Sequence, residues 1–256
     1  MPPESNPDRG GRARKPPRPS HQSNRSAGHR GRPSRERTPA KHAQKLVHVP
    51  DDVVGELKGT ARPGKGGILV QVFAEAATAF EQENLAEAIR LGEQAKHIAL
   101  RSSSVRELLG LAYYRNGQFK DAARELSAFR RIAGSTEQNP VLADCYRAMS
   151  KPERAVELCN EIDASVPEPV RYEGAIVAAG ALADMERVDD AITRIETLDL
   201  EPVNAGNHHL RAWYVLADLL ERRGRFTQSL TYFESVAAAD AESTDAPERA
   251  RKLKGR

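Results

Sequence analysis

Gly59, Gly64 and Lys65 have the G-x4-G-K spacing of a phosphate-binding loop. Such a loop lies between a β-strand and a helix, and a Ser or Thr hydroxyl directly after the lysine binds magnesium. Here Gly66 takes the place of that hydroxyl, and residues 53–58 form a poor strand pattern. We therefore interpret the segment as a basic linker and predict no nucleotide cofactor.

Two cysteines and a pair of adjacent histidines are the side chains most suited to metal binding or redox chemistry. Cys159 occupies a large apolar position of a predicted helix, which burial explains. Cys145 and Cys159 have no histidine near them in the sequence, so they complete no zinc site. His208 and His209 are consecutive, and consecutive helical residues do not face one another. We predict no metal site and leave a minor redox or metal role for the cysteines as the alternative.

Serines and carboxylates are plentiful, but none has a spacing typical of nucleophilic or acid–base catalysis. Ser102 is placed to cap the helix that follows it. Asp189 and Asp190 begin a predicted helix, where acidic side chains interact favourably with the helix dipole. We predict a non-enzymatic protein with no catalytic residue and no small-molecule substrate.

Charge is strongly segregated along the 256 residues. Residues 1–50 contain twelve Lys and Arg against three acidic residues, a net charge of +9, whereas residues 51–247 carry −10. Residues 1–45 also hold eight of the sixteen prolines, and the first aromatic residue is Phe73. A segment of this composition cannot bury enough apolar surface to offset its ordering entropy. We predict that residues 1–60 form a disordered arm and linker, with a short helix possible from Asp51 to Leu57.

The basic arm suggests an alternative function as an RNA- or ribosome-associated factor, because its cations can neutralise phosphates without sequence selectivity. Other interpretations remain open: an anionic membrane surface, an acidic protein, a solvated tail, or an arm that folds back on the acidic body. The candidate nucleic-acid contacts are Arg9, Arg12, Arg14, Lys15, Arg18, Arg25, Arg30, Arg32, Arg35 and Arg37.

Hydropathy and cysteine usage indicate the compartment. No apolar run reaches the ~18 residues needed to span a bilayer, and no apolar stretch follows the N-terminus, so we expect neither an integral membrane span nor a secretory signal. Two cysteines cannot build a disulfide framework. We expect a cytoplasmic protein.

From Ile68 onward the apolar residues recur at three- and four-residue spacing, which is typical of amphipathic helices. Residues 105–129 form two such helices, interrupted by Asn116 and Gly117. Small residues then recur in pairs that are always twelve positions apart, which predicts helical hairpins whose two helices cross closely. These pairs are Ala76 and Ala88, Gly110 and Ala122, Ala143 and Ala155, Ala179 and Ala191, and Ala217 and Ser229.

This pattern resembles the tetratricopeptide (TPR) repeat. The clearest copy consists of Leu109, Gly110, Tyr113, Gly117, Phe119, Ala122 and Leu126. The resemblance implies an all-α fold, an α-solenoid of about five hairpins over residues 68–240, with a basic disordered arm before it and a short polar basic tail at 241–256. We place the hairpins near 68–99, 102–133, 137–164, 168–199 and 207–239. The arrangement also resembles small bacterial members of the family.

The resemblance further implies that the chain is an interaction scaffold that binds a protein or peptide segment in a concave groove lined by the first helix of each hairpin. The projected groove residues are Phe73, Phe80, Glu107, Leu111, Tyr114, Arg115, Asp144, Arg147, Glu173, Asp184, Arg211, Tyr214 and Asp218.

One TPR subclass clamps a partner's C-terminal carboxylate with Lys, Asn and Arg. The matching positions in this chain hold neither a basic residue nor an asparagine; they are Phe73, Ala77, Leu108, Glu137 and Val141. We predict no carboxylate-clamp binding.

Overall fold

A computed structural model describes residues 46–255, and all regular secondary structure in this range is α-helical. The helices are α1 (Asp51–Thr60), α2 (Gly66–Glu81), α3 (Leu85–Ile98), α4 (Ser103–Arg115), α5 (Phe119–Ala133), α6 (Asn139–Ala148), α7 (Pro152–Asn160), α8 (Glu168–Asp184), α9 (Val188–Glu196), α10 (Asn207–Arg222), α11 (Phe226–Ala239) and α12 (Ala246–Lys254). None of the described helices is long and apolar enough to cross a membrane.

Helix α1 lies inside the segment predicted as arm and linker, and it runs to Thr60 rather than ending at Leu57. The side chain of Leu57 on α1 is completely buried in a cluster with Leu69 and Val105. The Glu56 carboxylate accepts the backbone N–H of Ser103 at 2.8 Å. Because these contacts reach α2 and α4, α1 covers the N-terminal end of the first hairpin.

The five predicted hairpins are confirmed as α2–α3, α4–α5, α6–α7, α8–α9 and α10–α11. Each hairpin turns through one residue with positive φ, which directs the chain back along the first helix. Gly117 and Gly224 supply this conformation in the second and fifth hairpins, with φ of 72° and 75°. The other three use Glu83, Ser150 and Glu186, with φ of 57°, 57° and 61°. A side chain in this region costs energy that glycine avoids.

The ten small residues spaced twelve apart are all buried. In the fifth hairpin the Ser229 hydroxyl donates to the carbonyl of Ala217 at 2.8 Å, so the paired positions contact each other directly. In the second hairpin, a Cβ added to Gly110 would lie 2.7 Å from Cγ of Leu126. The small side chains therefore allow the helices to cross closely, as the spacing predicts.

We expect Gly110→Ala to lower the free energy of unfolding by about 1–2 kcal/mol, because the clash with Leu126 outweighs the gain in helix propensity. Gly55→Ala in α1 is the matched control, since a Cβ there meets nothing within 4 Å. That variant should gain about 0.5–1 kcal/mol. Urea unfolding measures both; equal stabilisation by the two substitutions contradicts a tight crossing at Gly110.

The C-terminal segment, predicted only as a polar tail, contains α12. Ala246, Ala250 and Leu253 on one face of α12 are buried in a cluster with Phe233 and Val236 of α11. The Arg249 guanidinium stacks over the Phe233 ring, 4.3 Å from its centroid. Helix α12 thus covers the apolar end of the fifth hairpin.

A charged cluster is buried between the first two hairpins. Glu125 on α5 is completely buried, and one of its carboxylate oxygens accepts from Lys96 at 3.1 Å and from Arg124 at 3.0 Å. Arg106 of α4 donates to the other oxygen. Burial acts to raise the pKa of Glu125, but the hydrogen bonds from Arg106 and Lys96 outweigh it and lower that pKa overall. The cluster joins α3, α4 and α5.

Candidate partner-binding groove

Most of the projected groove residues contact the first helix or the flanking residues of the next hairpin. In the N-terminal half, the Arg115 guanidinium lies 4.4 Å from the Phe80 ring centroid, and the Tyr114 hydroxyl donates to Asp144 at 2.7 Å. Gln138 donates to Glu107 at 2.8 Å. These contacts connect α2 to α4 and α4 to α6.

The same pattern continues in the C-terminal half. Arg147 on α6 donates to Asp184 on α8 at 2.9 Å, and Arg211 on α10 lies 2.6 Å from Glu173 on α8. Asp218 accepts from Arg249 of α12 at 2.9 Å. Together with the N-terminal contacts, these pairs form an inter-repeat ladder along the first helices, which α12 continues past the fifth hairpin.

Tyr214 also belongs to this ladder, because its hydroxyl donates to Asp245, directly before α12. Two projected residues lie outside the ladder. Phe73 packs, partly buried, against the cluster that contains Leu57 and Leu69, so its ring belongs to the cover formed by α1. Leu111 is half-buried on α4 and does not line the two cavities described next.

Two adjoining cavities open on the first helices of the C-terminal half. The larger, about 350 Å³, lies between α8, α10 and the segment that leads into α12. The smaller, about 240 Å³, lies between α6, α8 and α10. Both are lined by Ile176, Tyr214 and Val215, so they form one continuous trough.

Gly180 shapes the smaller cavity. A Cβ at this position would lie 2.7 Å from Cζ of Arg147, so the guanidinium rests directly against the α8 backbone. That seat holds Arg147 within reach of both Asp144 (3.1 Å) and Asp184 (2.9 Å). The absence of a side chain at Gly180 therefore sets both the depth of the trough and the position of the Arg147 guanidinium.

The trough carries an excess of negative charge. Among the described residues, six carboxylates and four guanidinium groups line the cavities or bond to a lining residue, which leaves two negative charges. These groups are Asp144, Glu173, Asp184, Asp218, Asp240, Asp245, Arg147, Arg211, Arg222 and Arg249.

Burial perturbs two carboxyl groups of the groove. It raises the pKa of Glu107, against the opposing hydrogen bond from Gln138. It also raises the pKa of Glu173, where the Arg211 guanidinium opposes the shift. Both carboxylates are therefore desolvated, and each is stabilised by a partner from the adjacent repeat.

The prediction that His208 and His209 do not face one another is wrong. Their ring centroids are 4.0 Å apart, because His209 turns back within the first turn of α10 to accept the N–H of Gly206 at 2.9 Å. Both rings pack against Tyr172, and Glu168 lies 3.7 Å from His208 Nε2. Burial and then His209 lower the pKa of His208.

Three potential metal ligands thus come together, with ligand atoms within 4.8 Å of one another: Glu168, His208 and His209. Two features oppose a cation there. His209 Nδ1 already accepts the Gly206 N–H, and the positive end of the α10 dipole adjoins both rings. These residues form the N-terminal cap of α10, in which His209 accepts the Gly206 N–H.

The other candidate chemical groups lie away from the trough. Cys145 and Cys159 are buried free thiols, and burial raises the pKa of each to about 12, which is the opposite of what a reactive thiolate requires. The G-x4-G-K segment connects helix α1, not a strand, to α2. The ten candidate nucleic-acid contacts between Arg9 and Arg37 lie outside the described residues.

Sequence reasoning missed several residues of the trough. Leu210, Val236 and the segment around Asp240 line the larger cavity, and Arg249 contacts its rim. Val236 belongs to a second helix, so a projection of first helices leaves it out. The glycine at position 180 was the available signal, because a glycine inside a helix often marks a close approach.

No protein-family model matches this chain, and no curated protein matches it. Solved structures do. The crystal structure of MamA matches with a TM-score of 0.54 at 18% identity, covering 68% of this chain and 92% of that one. YrrB, described as a TPR protein with an unusual peptide-binding site, matches with a TM-score of 0.52 at 13% identity, covering 72% and 91%.

A third structure contains TPR-like repeats ascribed to a Podosopora anserina kinesin light chain. It matches with a TM-score of 0.55 at 20% identity, covering 69% of this chain and 98% of that one. At sequence identities of 13% to 20%, the likeness to these three structures shows a shared fold alone. It agrees with the five described hairpins, and the predicted all-α solenoid fold of TPR-like hairpins is confirmed.

Proposed function

We propose that this chain, which has the TPR fold, is a non-enzymatic interaction scaffold that binds a segment of a partner protein in the trough of its third to fifth hairpins. The observation that carries the proposal is the pair of adjoining cavities that share Ile176, Tyr214 and Val215. A concave apolar surface with a few fixed polar groups is what a binding site requires.

The surrounding contacts support a preformed site. Arg147 is fixed by Asp144 and Asp184, and Tyr214 donates to Asp245 at 2.6 Å, so their side chains are ordered before a partner arrives. A preordered site loses less conformational entropy when it binds. The peptide-binding site ascribed to YrrB, which has a similar fold, also supports the proposal.

The test is selection of peptides from a random library displayed with both ends joined to the carrier, followed by affinity measurement of the selected peptides by fluorescence polarisation. Gly180→Leu fills the trough and should weaken binding at least about tenfold. Val215→Ala should weaken it about two- to fivefold, since Val215 lines both cavities. Because the displayed peptides have no free C-terminus, their binding also tests the prediction of no carboxylate clamp.

Two controls match these variants. Gly55→Leu places the same side chain where a Cβ meets nothing within 4 Å. Val203→Ala makes the same substitution at a valine that is 99% exposed and lines neither cavity. Both controls should bind as the unchanged chain does. The proposal is wrong if no peptide is selected, or if Gly180→Leu binds the selected peptides with unchanged affinity.

A further inference from the structure

The larger cavity has an apolar floor and an acidic rim. Ile176, Leu210, Val215 and Val236 supply the floor, and at about 350 Å³ the cavity falls at the small end of ligand pockets. Such a space suits one or two apolar side chains. Asp240, Ser243 and Thr244, from the segment between α11 and α12, form one edge.

Two carboxylates at this edge have no cationic partner within the described part of the chain. Asp240 accepts the backbone N–H groups of Glu242 and Ser243 at 3.2 and 3.1 Å. Asp245 accepts the Tyr214 hydroxyl at 2.6 Å. The hydrogen bonds from Ser243 lower the pKa of Asp240.

The cations of the trough, in contrast, are already neutralised. Arg211 is paired with Glu173 at 2.6 Å, and Arg222 with Asp218 at 2.8 Å. Arg147 lies between two carboxylates. An acidic partner would therefore have to separate existing ion pairs, whereas a basic partner meets carboxylates that lack a counter-charge.

We propose that the trough selects a segment in which an apolar side chain, inserted over Ile176 and Val236, is flanked by a Lys or Arg that pairs with Asp240 and Asp245. The inference rests on the proposed function and specifies its partner class. The chain's own arm is basic, but it has no aromatic residue and almost no aliphatic residue before Leu46, so it lacks the apolar anchor.

In the test, the full-length chain selects peptides from the same random library, and the selected peptides are sequenced. Peptides bound by the unchanged chain should be enriched several-fold in Lys or Arg beside Leu, Ile, Phe or Met. The double variant Asp240→Asn plus Asp245→Asn keeps the hydrogen-bond acceptors and removes both charges. It should lose the basic enrichment and bind the selected peptides about five- to tenfold more weakly at low salt.

Asp163→Asn is the matched control, because Asp163, like Asp240, accepts a backbone N–H two residues on, from Ser165 at 2.8 Å. It should retain both the enrichment and the affinity. The inference is overturned if the selected peptides are enriched in Asp or Glu, or if the double variant keeps the basic preference.

Alternative occupants give different results. A synthetic peptide of residues 1–45 that displaces the selected peptides from the trough would identify the arm as the occupant and overturn the inference. If the unchanged chain self-associates and the double Asn variant does not, the occupant is a second copy of this chain, and the inference is likewise overturned. If Gly180→Leu and the unchanged chain select the same peptides, the proposed function itself is wrong. If the selected peptides lose affinity for Gly180→Leu but contain no Lys or Arg, only the present inference is wrong.

Discussion

Glu125→Ala should lower the free energy of unfolding by about 3–5 kcal/mol, the range for breaking a buried ion pair. The carboxylate is completely buried, and its removal leaves Lys96 and Arg106, with side chains 13% and 16% exposed, without their shared counter-charge. Chemical denaturation measures the loss. Glu157→Ala is the control, because Glu157 pairs with Arg154 at the surface and should cost less than about 1 kcal/mol. Equal losses in the two variants would show that the cluster contributes little.

The same residue predicts a dependence on pH. The folded-state pKa of Glu125 is lower than the ordinary value of 4.5 for a glutamate, so the unfolded chain binds a proton more readily than the folded chain does. The stability that Glu125 contributes is therefore present above about pH 4.5 and is lost as the pH falls through the lower folded-state pKa. Glu125→Ala should lack this component of the acid-induced loss, whereas Glu157→Ala should retain it.

Phe233→Ala should cost about 3–5 kcal/mol, with the loss confined mainly to the C-terminal end. The ring is completely buried and contacts the Tyr214 ring, the Arg249 guanidinium and the α12 cluster. Hydrogen exchange should accelerate in α11 and α12 before it does in α4 and α5. Phe226→Ala removes a 39% exposed ring from the same helix and should have a much smaller effect. Uniform acceleration along the chain would contradict a local role for Phe233.

The repeats were predictable because their determinant is local. The two helices of a hairpin cross where small side chains oppose each other, and the distance between those positions along the chain is set by the helices and the turn. Ala143 and Ala155 are completely buried even though the third hairpin lacks a glycine turn. The turn conformation was less predictable, since Ser150 adopts a positive φ that its residue type does not favour.

The features that sequence reasoning missed depend on contacts between distant residues. Glu125 resembles a surface residue in the sequence, and its burial requires Lys96 and Arg106, 29 and 19 positions away. Helix α12 buries only three apolar side chains, too few to distinguish from a polar tail. His208 and His209 face one another because His209 accepts a single hydrogen bond from the Gly206 N–H.

The candidate site was predictable in part. The inter-repeat ladder uses most of the projected residues, because neighbouring first helices bring equivalent positions together. The trough itself requires the end of α11 and the segment around Asp240 to meet α10, a contact that no repeat pattern specifies. The partner class proposed for the trough therefore depends on the segment that follows the fifth hairpin, which lies outside the repeat pattern.

The hairpin turns distribute backbone strain unevenly around the trough. The third and fourth hairpins, which supply α6 and α8, are closed by Ser150 and Glu186 in a left-handed backbone conformation that strains both residues. The second and fifth hairpins use glycine and are free of that strain. Two of the three hairpins that line the trough therefore carry backbone strain in their turns, as the first hairpin does at Glu83, and the fifth does not.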